Sequence, residues 1–418
     1  MTSRERVRAT INHIEPDRVP VDMGGMGSTG IMAIAYNHLK NYLGIKGGTT
    51  WLYDTGQQLC EPEAWALERF HVDVIALSRS LPPVADRGRM KEFESRFGGR
   101  WKPWTLPDGS KCEAPESFNP EPDGKGGWQL RNERGIHAVM PKGALYFDSG
   151  PDAHPLKHAQ GVEDLGDWKP GYADERSYIS LREKAKWLHE NTDFAIMCGF
   201  GGGVHEPAQG LRGWGQWMMD MAGEPELAHE IVGRLTEANV HNVKLFMEMV
   251  GPYLDLVQMG DDLGTQVGPQ MSPAMYHEFI HPAHKPVYQA AKRVAPDVHI
   301  FLHSCGGIRP LIPDLVDEGV EVLNPVQTNA NGMDPSDLKR DFGRKLTFWG
   351  GGAEVAGLLT NGTTTEEVRQ QVRERIRIFA PGGGYVFNQV RNIQANVPPK
   401  NVVAMYEAAW EYGRYPIR

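Results

Sequence analysis

Apolar residues along this chain come in short unbroken runs rather than in strict alternation. Eight such runs follow one another, each closed by Gly, Asp, Asn or His. They are "RVPVDMGG" from Arg18, "VDVIALSRS" from Val72, "FAIMCGFGGG" from Phe194, "LDLVQMGDD" from Leu254, "VHIFLHSCGG" from Val298, "VEVLNPVQ" from Val320, "LTFWGGG" from Leu346 and "GYVFNQV" from Gly384. Strands buried on both faces read this way. Segments with helical spacing lie between them: "EFIHPAHKPVYQAAKRV" precedes the fifth run, "TTEEVRQQVRERIRIF" precedes the eighth, and "KNVVAMYEAAWEYG" follows it. Strand–helix alternation on this scale predicts a (β/α)8 TIM barrel with outer helices, an α/β fold. A doubly wound open sheet is the competing architecture.

One stretch breaks the rhythm. Residues 81–170 are rich in Pro, Gly, Asp and Trp, as in "SRFGGRWKPWTLPDGSKCE" and "GWQLRNERGIHAVM". The pattern predicts short antiparallel strands and turns, because a structureless loop of that length is improbable in a compact domain. The expectation is a single barrel domain over 1–418, with an antiparallel β-rich insertion after strand 2 acting as a rim or lid.

The chain has 418 residues, 40% of them hydrophobic, ample for a large core, and a formal net charge of −9. An acidic chain without a dense Lys/Arg block argues against nucleic acid or an anionic membrane as partner. Cys60, Cys112, Cys198 and Cys305 are scattered and contain no C-x-x-C. With no secretory pattern or membrane-length apolar run, they read as free thiols in a cytoplasmic protein. The opening "MTSRERVRATIN" is a polar helix start, Thr2 and Glu5 fitting a capping box.

The candidate chemistry lies where the runs end. His303 and Cys305 are two residues apart in a strand, so both side chains face the same side and could share one ion. Imidazole with thiolate suits zinc, whereas a Cys–His nucleophile pair needs direct thiol–base contact, and two packed core residues are the structural alternative. Asp261 and Asp262 are adjacent acids whose burial requires a cation, a proton or donors. His205 and Glu206, after "GFGGGV", could bind substrate or work as acid and base; a loop salt bridge is the alternative. Trp214, Trp217 and Met218 could be helix core, or an apolar wall for a flat substrate. Gln327 and Asn388 are polar residues in apolar runs that need partners if buried. Gly25, Gly27 and Gly30 spell G-x-G-x-x-G, but the helical reading of "QQLCEPEAWALERF" before Val72 does not suit a dinucleotide fold.

Four segments together, "RERVRATINHIEPDRVPVDMGG", "HSCGG", "EVLNPVQ" and "GGGYVFNQVRNIQANVPPKNV", resemble the uroporphyrinogen decarboxylase superfamily over most of the chain outside the insertion. The resemblance implies a (β/α)8 barrel. True decarboxylases of that group carry a pair of arginines after the first strand to hold substrate carboxylates. Here "VDMGGMGSTGIM" has none, which speaks against a polyanionic porphyrinogen. The corrinoid-dependent methyltransferase branch, including its O-demethylases, fits better, because its zinc motif begins His-x-Cys at the end of strand five. By that resemblance His303 and Cys305 are zinc ligands, and Gln327 and Asn388 stand where an acidic ligand and a second cysteine are expected. Asp262, Glu206 or the substrate would then complete the site.

The implied reaction demethylates a small methylated compound, an O-methyl ether such as a methoxylated aromatic, with the ion as Lewis acid. Asp261, Glu206 and His205 are the candidate catalytic groups, and Gln327, Asn388 and Trp214 the candidate substrate contacts. The chain lacks a corrinoid module: its nearest match to D-x-H-x-x-G is "DAHPLK". The corrinoid would therefore arrive on a separate protein, and two copies of the chain could pair. The alternatives are a metal-free decarboxylase or lyase acting on another substrate, and a non-catalytic binding barrel.

Overall fold

The structure is a computed structural model that describes residues 1–355, 357, 359, 360 and 362–418. Seven strands form one parallel sheet in chain order: Val74–Ala76, Ala195–Gly202, Leu256–Gly260, His299–His303, Val322–Asn324, Thr347–Trp349 and Tyr385–Val386. The first predicted run supplies the eighth stave. The Phe387 N–H donates to Pro20 O at 2.8 Å and the Asp73 N–H donates to Val21 O at 2.8 Å, closing the ring between the last strand and the second run. Pro20 has no N–H to give, so this stave pairs through isolated bridges rather than a full ladder. All eight predicted runs are staves of the barrel.

Alternation along the staves turns Val74, Ala195, Met197, Leu256, Phe301, Val322, Trp349 and Val386 into one interior cluster, together with Val7 and Ile11. The latter two belong to the helix Ser3–Ile11, which plugs the N-terminal end and starts on the expected Thr2–Glu5 capping box. Burying each such side chain contributes about 1.5–3 kcal/mol. A barrel packed this way is filled, not a pore, and its chemistry is left to the C-terminal rim.

Two further sheets lie outside the barrel. One is five-stranded, in the order Ile31–Met32, Leu59–Glu61, Trp51–Asp54, Lys111–Pro115, Trp101–Thr105; the other is four-stranded and runs through Asp148–Ser149, Gly135–Met140, Trp128–Asn132 and Glu121–Pro122. The β-rich character predicted for 81–170 is present, with two differences. The segment "QQLCEPEAWALERF" is a strand, Leu59–Glu61, then a short helix, Ala64–Arg69. Pro62 lies between them, where its ring and missing N–H break a continuous helix. Inside the insertion, Arg87–Phe97 is a helix capped by Asp86, and its buried Phe93 lies 5.1 Å, centroid to centroid, from Trp187. No helix among the described residues is long and apolar enough to cross a membrane.

Candidate functional site

Sheet register brings the site together. Gly260 pairs with His303, and His303 with Asn324, so the residues after each strand emerge at one level of the rim. Two glycines then let neighbouring loops touch backbone to backbone. A Cβ on Gly264 would sit 2.5 Å from Cys305 O, and one on Gly306, at φ +92°, would sit 2.4 Å from the Gly264 carbonyl carbon. Only glycine permits this approach, and it sets Cys305 beside Asp262.

The result is a three-residue cluster. One ligand atom each from Asp262, His303 and Cys305 lies within 4.8 Å of the others. Cys305 Sγ is 3.5 Å from His303 Nε2, which is 3.6 Å from Asp262 Oδ1. The Cys305 N–H donates to Asp262 Oδ1 at 2.7 Å, leaving Oδ2 as the freer oxygen. Behind the imidazole stands Asn324, fully buried. Its Nδ2 donates to Trp349 O at 2.9 Å, which turns its Oδ1 toward His303 Nδ1 at 2.7 Å. Nδ1 therefore carries the proton and Nε2 presents its lone pair to the cluster, as in metal sites where an outer partner fixes a histidine ligand. Burial, then the Asp262 carboxylate, push the Cys305 thiol up to about 12. A reactive thiol has its pKa lowered, so the thiol–imidazole contact does not make a nucleophile pair, whereas a cation would displace the proton. Sulfur, imidazole and carboxylate form a mixed donor set that fits a divalent ion such as zinc.

The two adjacent acids part company. Asp262 joins the cluster; Asp261 points into the protein. Asp261 Oδ2 accepts from the N–H groups of Val204 and His205, both at 2.8 Å, and Oδ1 from that of Glu206 at 2.6 Å. Asp261 thus caps the helix His205–Arg212. His284 Nε2 lies 2.9 Å from Asp261 Oδ2 and its Nδ1 lies 3.3 Å from Glu318, all fully buried. Burial would raise the Asp261 carboxyl, but His284 and the backbone donors hold it below its usual value.

That cap sets Glu206 at the cluster's edge, where Glu206 Oε2 accepts the Asp262 N–H at 3.0 Å. Glu206 is solvent-accessible as a residue, yet partial enclosure of its carboxyl and the neighbouring charges of Asp262 and Asp261 push it up to about 7. His205 is fully buried. Its Nδ1 accepts from Trp217 Nε1 at 3.0 Å, and burial lowers its pKa. Trp217 is core, while Trp214 is 57% exposed and donates through Nε1 to Gln270 Oε1 at 2.8 Å. Gln327 is engaged at both ends, accepting from the Gly306 N–H at 3.0 Å and donating to Gln266 Oε1 at 2.9 Å. Asn388 is fully buried, and neither polar atom of its side chain has a partner. It lies two residues beyond Val386, where the last stave ends. Such a group is ready for a ligand.

Sequence reasoning passed over Asn324, although a polar residue at the end of an apolar strand was its signal. It also passed over Asp22, buried at the end of the first stave, where Trp349 Nε1 donates to it at 2.9 Å and the Gly25 N–H at 2.7 Å. Burial pushes its carboxyl up to about 6. The glycines after it make a short turn onto that carboxylate. The helix Ala33–Tyr42 is followed by the Trp51–Asp54 strand outside the barrel sheet, which rules out the dinucleotide unit. A wide cleft of about 820 Å³ opens at the opposite, N-terminal end of the barrel. Its lysine and arginine are already paired, Lys292 with Glu321 and Arg8 with Asp255.

The family model described as uroporphyrinogen decarboxylase (URO-D) matches residues 153–412, a span that holds the whole cluster. A methyltransferase from Methanosarcina mazei is similar in fold, with a TM-score of 0.60 at 18% identity over 99% of each chain. An intracellular xylanase from Thermoanaerobacterium saccharolyticum reaches a TM-score of only 0.35 at 11% identity, over 57% of this chain and 76% of its own. No curated protein sequence matches the chain.

Proposed function

This chain belongs to the uroporphyrinogen decarboxylase family, and from that premise we propose that it is a methyltransferase which demethylates a small O-methylated compound and passes the methyl to a corrinoid on a separate protein. The observation that carries the reading is the cluster of Asp262, His303 and Cys305, with the imidazole fixed from behind by Asn324. The absence of arginines in "VDMGGMGSTGIM" favours it over a porphyrinogen decarboxylase, and the fold likeness to a methyltransferase is in keeping with it.

Asp262, His303 Nε2 and Cys305 Sγ would hold a zinc ion, which supplies Lewis acidity to the ether oxygen. The protein's own groups do the rest. The bond between ether oxygen and methyl breaks with its electron pair left on oxygen, and that oxygen takes a proton. Glu206 stands beside Asp262 and would give that proton, burial and the neighbouring acids pushing its carboxyl up, the direction a general acid needs. Asp261 positions Glu206 through the helix it caps, and His205, the first residue of that helix, is held inward by Trp217. Asn388 offers its free amide to a polar group of the substrate, Trp214 offers an exposed ring as a wall, and Gln327 steadies the Gly306 turn.

The test is to mix the zinc-loaded protein with a reduced corrinoid protein and a panel of methoxylated aromatics, following methyl–cobalt absorbance. Methyl transfer that is lost on chelation and restored by zinc is expected. No transfer from any donor, with decarboxylation that survives chelation, would refute the proposal in favour of a metal-free lyase.

A further inference from the structure

One side chain, Gln270, bonds to the exposed Trp214 ring and to the cluster at once. Its Oε1 accepts from Trp214 Nε1 at 2.8 Å and from Gln209 Nε2 at 2.9 Å, with His205 Nε2 at 3.3 Å, and its Nε2 donates to the backbone carbonyl of Asp262 at 2.9 Å. The amide fits in one sense only. An indole N–H can only donate and a carbonyl can only accept, so turning the amide over would break both contacts.

The peptide groups of Asp262 are thereby held from two directions, the N–H by Glu206 Oε2 at 3.0 Å and the carbonyl by Gln270. Glu206 and Gln209 are three residues apart in the helix His205–Arg212, so they share a face of it. That helix is locked to the next, Trp214–Gly223, by a buried ion pair: Arg212 Nε and Nη2 donate to Asp220 Oδ2 at 2.6 Å and Oδ1 at 3.0 Å. On its other side the loop after Asp262 is tied to the Cys305 turn, the Leu263 N–H donating to Ser304 Oγ at 3.1 Å and the Gly307 N–H to Thr265 O at 2.8 Å. Gln270 closes the loop on itself, its N–H donating to Leu263 O at 2.7 Å. Its side chain is a strut between a fixed helix pair and the loop that carries Asp262.

Resting on the metal-assisted methyl-transfer reading, we infer that Gln270 is a positioning residue that holds Asp262 at a set offset from the Trp214 ring. A flat substrate leaning on that ring then lies in register with the ion, and a change at either end of the strut is felt at the other. No bond to Gln270 forms or breaks in the reaction.

Trp214→Phe keeps an aromatic ring and deletes the N–H donor; Gln270→Met keeps the side-chain length and deletes both bonds. Each variant and the double variant are compared with the parent in three ways: amide exchange over residues 262–270 of the metal-free protein, zinc affinity by chelator competition, and the absorption bands of the cobalt(II)-substituted protein. Gln270→Met should speed exchange, weaken zinc by about two- to tenfold, the worth of one neutral hydrogen bond, and shift the cobalt bands. Trp214→Phe removes no atom bonded to Asp262, yet should move all three in the same direction, and the double variant should be no worse than Gln270→Met alone. A Trp214→Phe protein with parental exchange, affinity and spectrum overturns the inference, as do effects that simply add in the double variant. Because that ring is exposed, this arm decides even where Gln270→Met folds poorly. A parent that takes up neither ion removes the metal reading instead, and exchange in the metal-free proteins then judges the strut by itself: faster exchange in Trp214→Phe keeps it, and unchanged exchange ends it.

Discussion

Removing Asn324 tests the proposed metal centre without touching a proposed ligand. Asn324→Leu keeps the side-chain volume close to the original but deletes both of its hydrogen bonds, to His303 Nδ1 and to Trp349 O. The site is fully buried, so no water replaces them. Leaving a buried carbonyl and a ring N–H without partners costs about 1–3 kcal/mol each; His303 is partly open to the rim, so the total belongs toward the lower end of that sum. The ring is then free to turn, and the tautomer with its lone pair on Nε2 is no longer enforced. Loss of an outer-shell partner of a histidine ligand lowers metal affinity about 10–100-fold, or about 1.4–2.8 kcal/mol. Competition between the protein and a chromophoric chelator for zinc measures the affinity, circular dichroism and chemical denaturation measure the fold, and cobalt(II) substitution reports the sulfur ligand directly. Asn324→Asp retains an acceptor for Nδ1–H and should restore much of the affinity. A folded Asn324→Leu protein that binds zinc as tightly as the parent would refute the orientation argument and, with it, the assignment of His303 as a ligand through Nε2.

Four other outcomes are expected. Zinc uptake at pH 8 should release about one proton, because the thiol of Cys305, pushed up to about 12, must ionise to bind; apparent affinity therefore tightens as pH rises, measurable by calorimetry in buffers of different ionisation heat. Gly306→Ala should lose zinc binding while the barrel remains folded, since a Cβ there meets the Gly264 backbone at 2.4 Å and drives the Asp262 and Cys305 loops apart. Asp261→Asn should be destabilised by about 1–3 kcal/mol, since buried His284 keeps only Glu318 of its two carboxylate partners; a stable but inactive variant would instead make Asp261 a catalytic group. Asp261 and Glu318 hold His284 up to about 10 against the burial that would lower it. A raised pKa contributes stability that is complete below about 6.5 and is lost as pH rises through about 10, so denaturation midpoints should fall over that window in the parent and fall less in His284→Gln.

Much of the architecture was legible in the order of the residues. Eight apolar runs with polar ends, separated by helical spacing, specify staves buried on both faces, because covering a stave on both sides requires nonpolar side chains on both. The positions of His303, Cys305 and Asp262 at the ends of those runs were legible for the same reason: strand ends are where a filled barrel stops being apolar. The Gln327 and Asn388 positions stood out as polar interruptions, and the Thr2–Glu5 cap is a local pattern that needs no tertiary partner.

What the sequence could not decide was which of several like residues does what, because that depends on direction and on partners distant in the chain. Asp261 and Asp262 are identical in type and adjacent, yet one turns inward to His284 and three backbone N–H groups while the other faces His303. Asn324 and Gln327 sit three residues apart, and only the sheet register shows that the first holds the imidazole and the second holds a turn. The helix within 81–170 and the strand at Leu59–Glu61 were hidden because their packing partners, Trp187 and the Trp51–Asp54 strand, belong to other segments. Composition and periodicity determined the barrel and its chemically active rim; the register of neighbouring staves, which brings the loops after them into backbone contact, decided which side chains share a site.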